Sequence, residues 1–351
     1  MAQNLSVSIN KIVASLVKNL SPRNKDIISR RFGLKNGKKE TLDSIGKSYG
    51  ITRERVRQIE EFILKQLAGS AKNSSEAEEY VSLANRIIDG AGGVIKESEL
   101  FRNFSGHEKE SSVNASLVLL LSFGTAPLRI SESDGLRIFW ALDERRLAAF
   151  KNAAASVENI LAANKKPVAE AAFVSMVKNV TGFDGGELSS VHLDTLLSIS
   201  KNIGRNIYGE VGLLNCAEIK PRGVKDKAYL ILRKANIPKH FADIAKSINV
   251  AGFFGKKANV QTVHNELIKD GRFVLVGRGM YALAEWGYKS GTVKDVLVDI
   301  LKNSPKPLSR TALLTSVMNA RMVKENTVLL NLQDSKIFAK REDGTYTLKK
   351  A

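Results

Sequence analysis

The chain has 351 residues, 43% of them hydrophobic, which is enough to bury several cores and long for one ordinary domain. Lys and Arg number 54 against 36 Asp and Glu, a formal net charge of +18 that suits a polyanionic partner and puts nucleic acid first. The single cysteine, Cys216, excludes an internal disulfide framework and a Cys-cluster zinc site.

The opening stretch MAQNLSVSINKIVASLVKNL is apolar at helical spacing, but Lys11 and Lys18 interrupt it, unlike the apolar core of a signal peptide. No run approaches the ~18 apolar residues that a membrane span needs, and ASLVLLLSF reads as a core helix. A cytoplasmic, nucleoid-associated protein is expected, with no membrane partner.

The next readable helix is TLDSIGKSYG, which Thr41 can cap and which turns Leu42 and Ile45 inward. Its Gly46 leaves room for a close helix crossing, and Gly50 suits a tight turn. ITRERVRQIE follows with Thr52 as its N-cap. At about 100° per residue, Arg53, Arg57, Glu61, Glu54 and Gln58 fall in one polar arc, and Val56, Ile59, Ile63 and Leu67 fall opposite. Helix, glycine turn and second amphipathic helix make the spacing of a helix-turn-helix. In a major groove Arg is bidentate to guanine, Gln to adenine, and Glu accepts from the cytosine amino group, so Arg53, Glu54, Arg57 and Gln58 form a base-reading set. The bland alternative is a solvated face held by pairs such as Arg57 with Glu61.

Residues 20–67, from LSPRNKDIISRRFG through TLDSIG to TRERVRQIEEFILKQL, resemble region 4 of the housekeeping sigma factors of bacterial RNA polymerase. The resemblance implies a recognition helix that reads promoter duplex DNA and an opposite face that holds the flap of the polymerase β subunit. It places Arg53, Glu54, Arg57 and Gln58 at bases and Arg23, Arg31 and Thr41 at phosphates. Lys47 is read as a phosphate contact, and Arg55, off the polar arc, as a brace or backbone contact. FILKQL departs from the family, which usually carries more basic residues there. With about 19 residues ahead of the segment, the chain is expected to act as an accessory or sigma-like factor rather than a stand-alone sigma.

AGSAKNSSE, residues 68–76, reads as a flexible linker after a first module at 1–68. A crude repeat of three helices and paired strands, the winged-helix order, then places modules at 76–143, 144–219, 224–288 and 291–350. PLRISESDGLRIFWAL, NIYGEVGLL, RFVLVGRGMYAL and IFAKREDGTYTL carry the strand signals. HFADIAKSI with VQTVHNELIKDGRFVLVGRGMYALAEWGY resembles the HARE-HTH winged helix, shared by the δ subunit of RNA polymerase and chromatin factors. There Phe273, Val274, Tyr281 and Leu283 read as core and wing, beside Trp286, and His240 as a capping or packing residue.

His107, His192, His240 and His264 are scattered, and neither HExxH, G-x-S-x-G nor a phosphate-loop GK[ST] occurs. IKPRGVKDK, residues 219–227, reads as a linker that could clamp a DNA backbone. The expected fold is mainly α, a helix-turn-helix domain followed by tandem winged-helix (α+β) modules. The expected protein is no enzyme and takes no cofactor, metal or small-molecule substrate. It binds double-stranded DNA and associates with RNA polymerase in transcription. A nucleoid-associated protein without sequence preference, or a competitor of sigma for the polymerase flap, are the other readings.

Overall fold

The computed structural model describes residues 8–288 and 291–349, so residues 1–7 and Lys350 of the expected terminal modules lie outside the described residues. Within that range the protein is mainly helical with small antiparallel sheets. It divides into two compact units, residues 1–205 with 209–214, and residues 206–208 with 215–351.

The first unit begins with α1 (Ile9–Lys18), α2 (Pro22–Phe32), α3 (Leu42–Tyr49) and α4 (Arg53–Ala71). Local chemistry sets these starts. Pro22 opens α2 where its missing N–H costs nothing, and Thr41 and Thr52 accept from the amides of Ser44 at 3.1 Å and Arg55 at 3.2 Å. Gly50 ends α3 with φ of 62°, a left-handed cap that glycine takes without a Cβ penalty. Ile27, Ile45 and Val56 form a small core between α2, α3 and α4.

Gly46 is where α3 meets the turn, since a Cβ there would stand 2.7 Å from the carbonyl oxygen of Ile51. Gly46→Ala is expected to cost about 1–3 kcal/mol by overpacking, read as a lower urea midpoint at unchanged slope. An unshifted midpoint would mean that the crossing has slack.

The stretch expected to be a flexible linker is ordered helix and turn. α4 runs on to Ala71, and Ser74 caps α5 (Ser75–Gly90) by accepting from the Ala77 amide at 3.2 Å. β1 (Val94–Lys96), α6 (Glu97–Ser105), α7 (Ser112–Leu121), β2 (Leu128–Ile130) and β3 (Phe139–Ala141) follow. α7 holds the apolar run foreseen as core, and its residues from Asn114 to Leu121 are all buried. One continuous core joins Ile9, Ile12, Val13, Val17, Ile63 and Leu67 of the first helices to Tyr80, Leu100, Phe104 and Leu117. Residues 1–68 and 76–143 are thus not separate hydrophobic bodies.

The same sharing continues along the chain. The sheet order is β1-β3-β2, and β3 buries both faces: Trp140 enters the first core, while Phe139 and Ala141 enter the next. Two-residue alternation puts them on opposite sides. The second core is completed by α8 (Glu144–Asn164), α9 (Glu170–Met176), α10 (Ser190–Ile199) and the hairpin of β4 (Ile203–Arg205) and β5 (Val211–Leu213).

The second unit opens with α11 (Val224–Ala235), β6 (Lys239–His240), α12 (Phe241–Val250), α13 (Val260–Lys269), β7 (Phe273–Gly277) and β8 (Met280–Leu283). Its sheet order is β6-β8-β7, the same central placing of the last strand as in the first sheet. Phe273, Val274, Tyr281 and Leu283 are buried, and Trp286 packs half-buried beside them. Then come α14 (Val293–Asn303), α15 (Arg310–Ala320), α16 (Glu325–Leu332) and a hairpin of β9 (Phe338–Lys340) and β10 (Tyr346–Leu348). β7 does not end as a bare edge: the Met322 amide donates to Val276 O at 3.0 Å and Arg321 donates to Leu275 O at 2.6 Å.

Candidate nucleic-acid interface

α4 emerges from its Thr52 cap with a wet face. Arg53, Glu54, Arg55, Arg57 and Gln58 are exposed, while Val56 and Ile63 are fully buried and Ile59 is half-buried. The wheel read from the sequence therefore holds on both sides. Arg57 donates to both Glu54 carboxylate oxygens, at 2.8, 3.0 and 3.1 Å, and to Glu61 at 2.5 Å. These bonds hold the Glu54 carboxyl below its usual range and push the Arg57 guanidinium up, with the Glu54 hydrogen bonds as the largest cause. Arg55 donates to the Gln58 side-chain carbonyl at 3.0 Å, and Gln58 in turn hydrogen-bonds Glu54.

The arc is consequently near neutral, because Glu54 and Glu61 offset Arg53 and Arg57. A neutral arc discriminates between bases but attracts a polyanion weakly, so affinity must come from cations around it. Arg23 lies over the Tyr49 ring at 5.3 Å, and Tyr49 donates to Asp26 at 2.8 Å. Lys47 is exposed and pairs with Asp43 at 2.7 Å, a surface pair that phosphate can replace at little cost. Thr41 is spent on its cap but stays exposed.

Arg31 is placed otherwise than as a free phosphate hook. It donates to Glu60 of α4 at 3.1 Å and to the Glu40 carbonyl at 3.2 Å, so part of its fork already ties α2 to α4. Beside it Arg30 is bidentate to Glu40 at 2.9 and 2.7 Å and donates to Ser48 at 2.8 Å, bracing α2 against α3. Sequence spacing alone does not show these pairs, since the partners lie on different elements.

Sequence reading also missed Glu97, a carboxyl side chain that is only 8% exposed. It accepts from Arg129 at 2.5 and 2.8 Å and from the Trp140 indole at 3.1 Å, with the Lys39 ammonium 3.8 Å away. Burial pushes the Lys39 ammonium down, against the pull of Glu97. Lys39 sits just before α3, so this cluster pins the helix-turn-helix to the elements that follow it.

The histidines have local duties. His192 completes a capping box with Ser189 and packs 4.6 Å from the Phe183 ring. His240 caps α12 by accepting from the Ala242 amide at 3.3 Å, as its position suggested, and His264 stacks on Phe241 at 4.4 Å. Among the described residues, no group of three or more His, Cys, Asp or Glu is placed to hold a metal ion, and no helix is long and apolar enough to cross a membrane.

Comparison with known proteins singles out this same segment. Residues 16–68 match the family Sigma-70, region 4. The RNA polymerase sigma factor SigA1 of Synechococcus elongatus is 38% identical over 74 residues, 21% of this chain and 18% of that protein. SigA of Nostoc sp. is 46% identical over 55 residues, covering 16% and 14%. The principal sigma factor HrdD of Streptomyces coelicolor is 42% identical over 59 residues, covering 17% and 18%. The chain spans less than a fifth of the length of these relatives. The exposed, Thr-capped helix and its supporting turn thus lie in a segment similar to sigma region 4.

Proposed function

We propose that the chain is a DNA-binding transcription protein that works with RNA polymerase and sets α4 in the major groove of promoter-type duplex DNA. One observation carries this reading: the helix in the second position of the helix-turn-helix exposes Arg53, Glu54, Arg57 and Gln58 together, within a segment similar to sigma region 4. Arg53, Glu54, Arg57 and Gln58 meet bases. Arg23, Thr41, Lys47 and Arg55 meet phosphates, and Arg31 joins them with the part of its fork that Glu60 leaves open. A polymerase contact opposite the recognition face would use the surface that α5 and α7 leave exposed, such as Phe62, since Ile63 and Leu67 are buried. The protein carries out no catalysis in this reading.

The later segments are proposed as winged helices. Their support is the recurring order of helix, short strand or bridge, two helices and hairpin, with the last strand central in both three-stranded sheets. A HARE-HTH identity for 224–288 is part of the same proposal. The net charge of +18 favours, as a second reading, a nucleoid-associated protein without sequence choice.

Anisotropy with duplexes of differing sequence separates the two. Arg57→Ala is expected to cost about 1–3 kcal/mol and to relax base preference. Lys47→Ala should weaken all sequences alike and flatten the salt dependence by about one phosphate equivalent. Unchanged affinity and preference in Arg57→Ala would remove α4 from the groove.

A further inference from the structure

The loop between α12 and α13 holds a bare aromatic ring in solvent. Phe254 is 97% exposed, although burying such a ring is worth about 1.5–3 kcal/mol. The loop is nonetheless built. The Asn249 side chain closes its base, accepting from the Ala258 amide at 2.7 Å and donating to the Ala258 carbonyl at 3.0 Å. Lys227 donates to the Phe254 carbonyl at 2.9 Å and lies 5.7 Å from the Phe253 ring, so the backbone at Phe254 is tethered while its side chain points away. Gly252 and Gly255, with φ of 77° and 104°, turn the chain on either side of the ring.

Charge surrounds this ring. Lys256 and Lys257 follow it, both exposed, and the loop feeds α13, whose first turn has no acidic residue. Of the nearby acids, Asp226 and Asp270 both bind Arg272, at 3.0 and 2.7 Å, while Asp243 on α12 and Glu266 on α13 are outnumbered around the loop by Lys227, Lys256 and Lys257. The exposed residues Gln261, Thr262 and Asn265 of α13 add neutral donors and acceptors.

An aromatic face beside mobile ammonium groups complements a nucleobase with its phosphates. Stacking of a base on such a ring is worth about 1–3 kcal/mol and needs no particular base. Inserting the ring into an intact duplex would first cost a few kcal/mol of unstacking, whereas an unpaired base offers its face already free. We propose that residues 252–257 form a second nucleic-acid site selective for single-stranded or locally unpaired DNA, with Phe254 stacking on a base and Lys256 and Lys257 holding the flanking phosphates. This site belongs to the second unit and does not depend on the assignment of α4 to a major groove.

The test uses the full chain and three labelled probes: a single strand, the matching duplex, and that duplex with an unpaired internal stretch. Phe254→Ala is expected to weaken binding to the single strand and the interrupted duplex by about 5- to 100-fold and to leave the intact duplex unchanged. Phe254→Trp should retain the preference, and Lys256→Ala with Lys257→Ala should flatten the salt dependence on the single strand. Arg57→Ala, run in parallel, should act on the duplex alone, so a failure of the α4 assignment shows as a separate result. Single-strand affinity unchanged by Phe254→Ala overturns the proposal, as does an equal loss on all three probes. Binding to anionic vesicles that Phe254→Ala abolishes, with DNA affinity untouched, would assign the loop to a lipid surface instead.

Discussion

Residues 1–70 produced alone are expected to show no cooperative thermal transition and no measurable preference among duplex DNA sequences, whereas residues 1–214 should show both. The reason is the shared core. α1 lies against α7, α5 and α4, and α2 also touches α7. Ile9, Ile12, Val13 and Val17, each under 8% exposed, sit in a core shared with α5, α6 and α7, so a fragment that keeps only α4 against them leaves much of their surface uncovered. Burying one Val, Leu or Ile side chain is worth about 1.5–3 kcal/mol, and a whole domain is stable by about 5–15 kcal/mol, so uncovering several at once removes most of the margin. The small core of Ile27, Ile45 and Val56 cannot replace it. Circular dichroism melts and anisotropy on the two fragments decide the matter. A sharply melting, sequence-selective 1–70 fragment would show that the helix-turn-helix stands without α5, α6 and α7.

The second large effect is expected at Glu97. Glu97→Ala removes the acceptor of a fully buried Trp140 indole and leaves Arg129 and Lys39 without their counter-charge. Breaking a buried pair from one side costs about 3–5 kcal/mol. The lower end is expected here, because the Arg129 side chain keeps 29% of its surface in water and can be rehydrated. Glu97→Gln keeps an oxygen for the indole and should lose less. Urea unfolding of the full chain in a Trp286→Phe background, so that fluorescence reports Trp140 alone, measures both; a loss under about 1 kcal/mol in the alanine variant would mean that water takes over the carboxylate's bonds.

The local parts of the candidate interface were legible because they depend on neighbours in sequence. Thr41 and Thr52 as caps, Gly50 as the αL stop, and the split of α4 into a wet arc and a dry one follow from residue type and helical period. His240 was legible as a cap for the same reason. Phe254 was invisible in AGFFGKK, since a phenylalanine pair in a loop ordinarily folds inward, and only Phe253 does.

What the sequence by itself determined is the helix-turn-helix with its exposed Arg53, Glu54, Arg57 and Gln58 face, the order of helices and hairpins along the chain, and the basic excess. What only the tertiary structure decided is how the segments combine. Small polar residues at 68–76 suggested a flexible tether, yet Ala68 to Ala71 continue α4 and Ser74 caps α5. The FWA run buries alternate side chains in two different cores, so the segment on each side of β3 is completed by the other. Composition marks where a chain can turn, but whether two apolar faces meet across the turn depends on partners more than a hundred residues apart, such as Asn10 and Ser116, whose side chains bond at 2.9 Å. Pairings at that range are set by which arrangement buries the most apolar surface at once, and no local pattern carries that information.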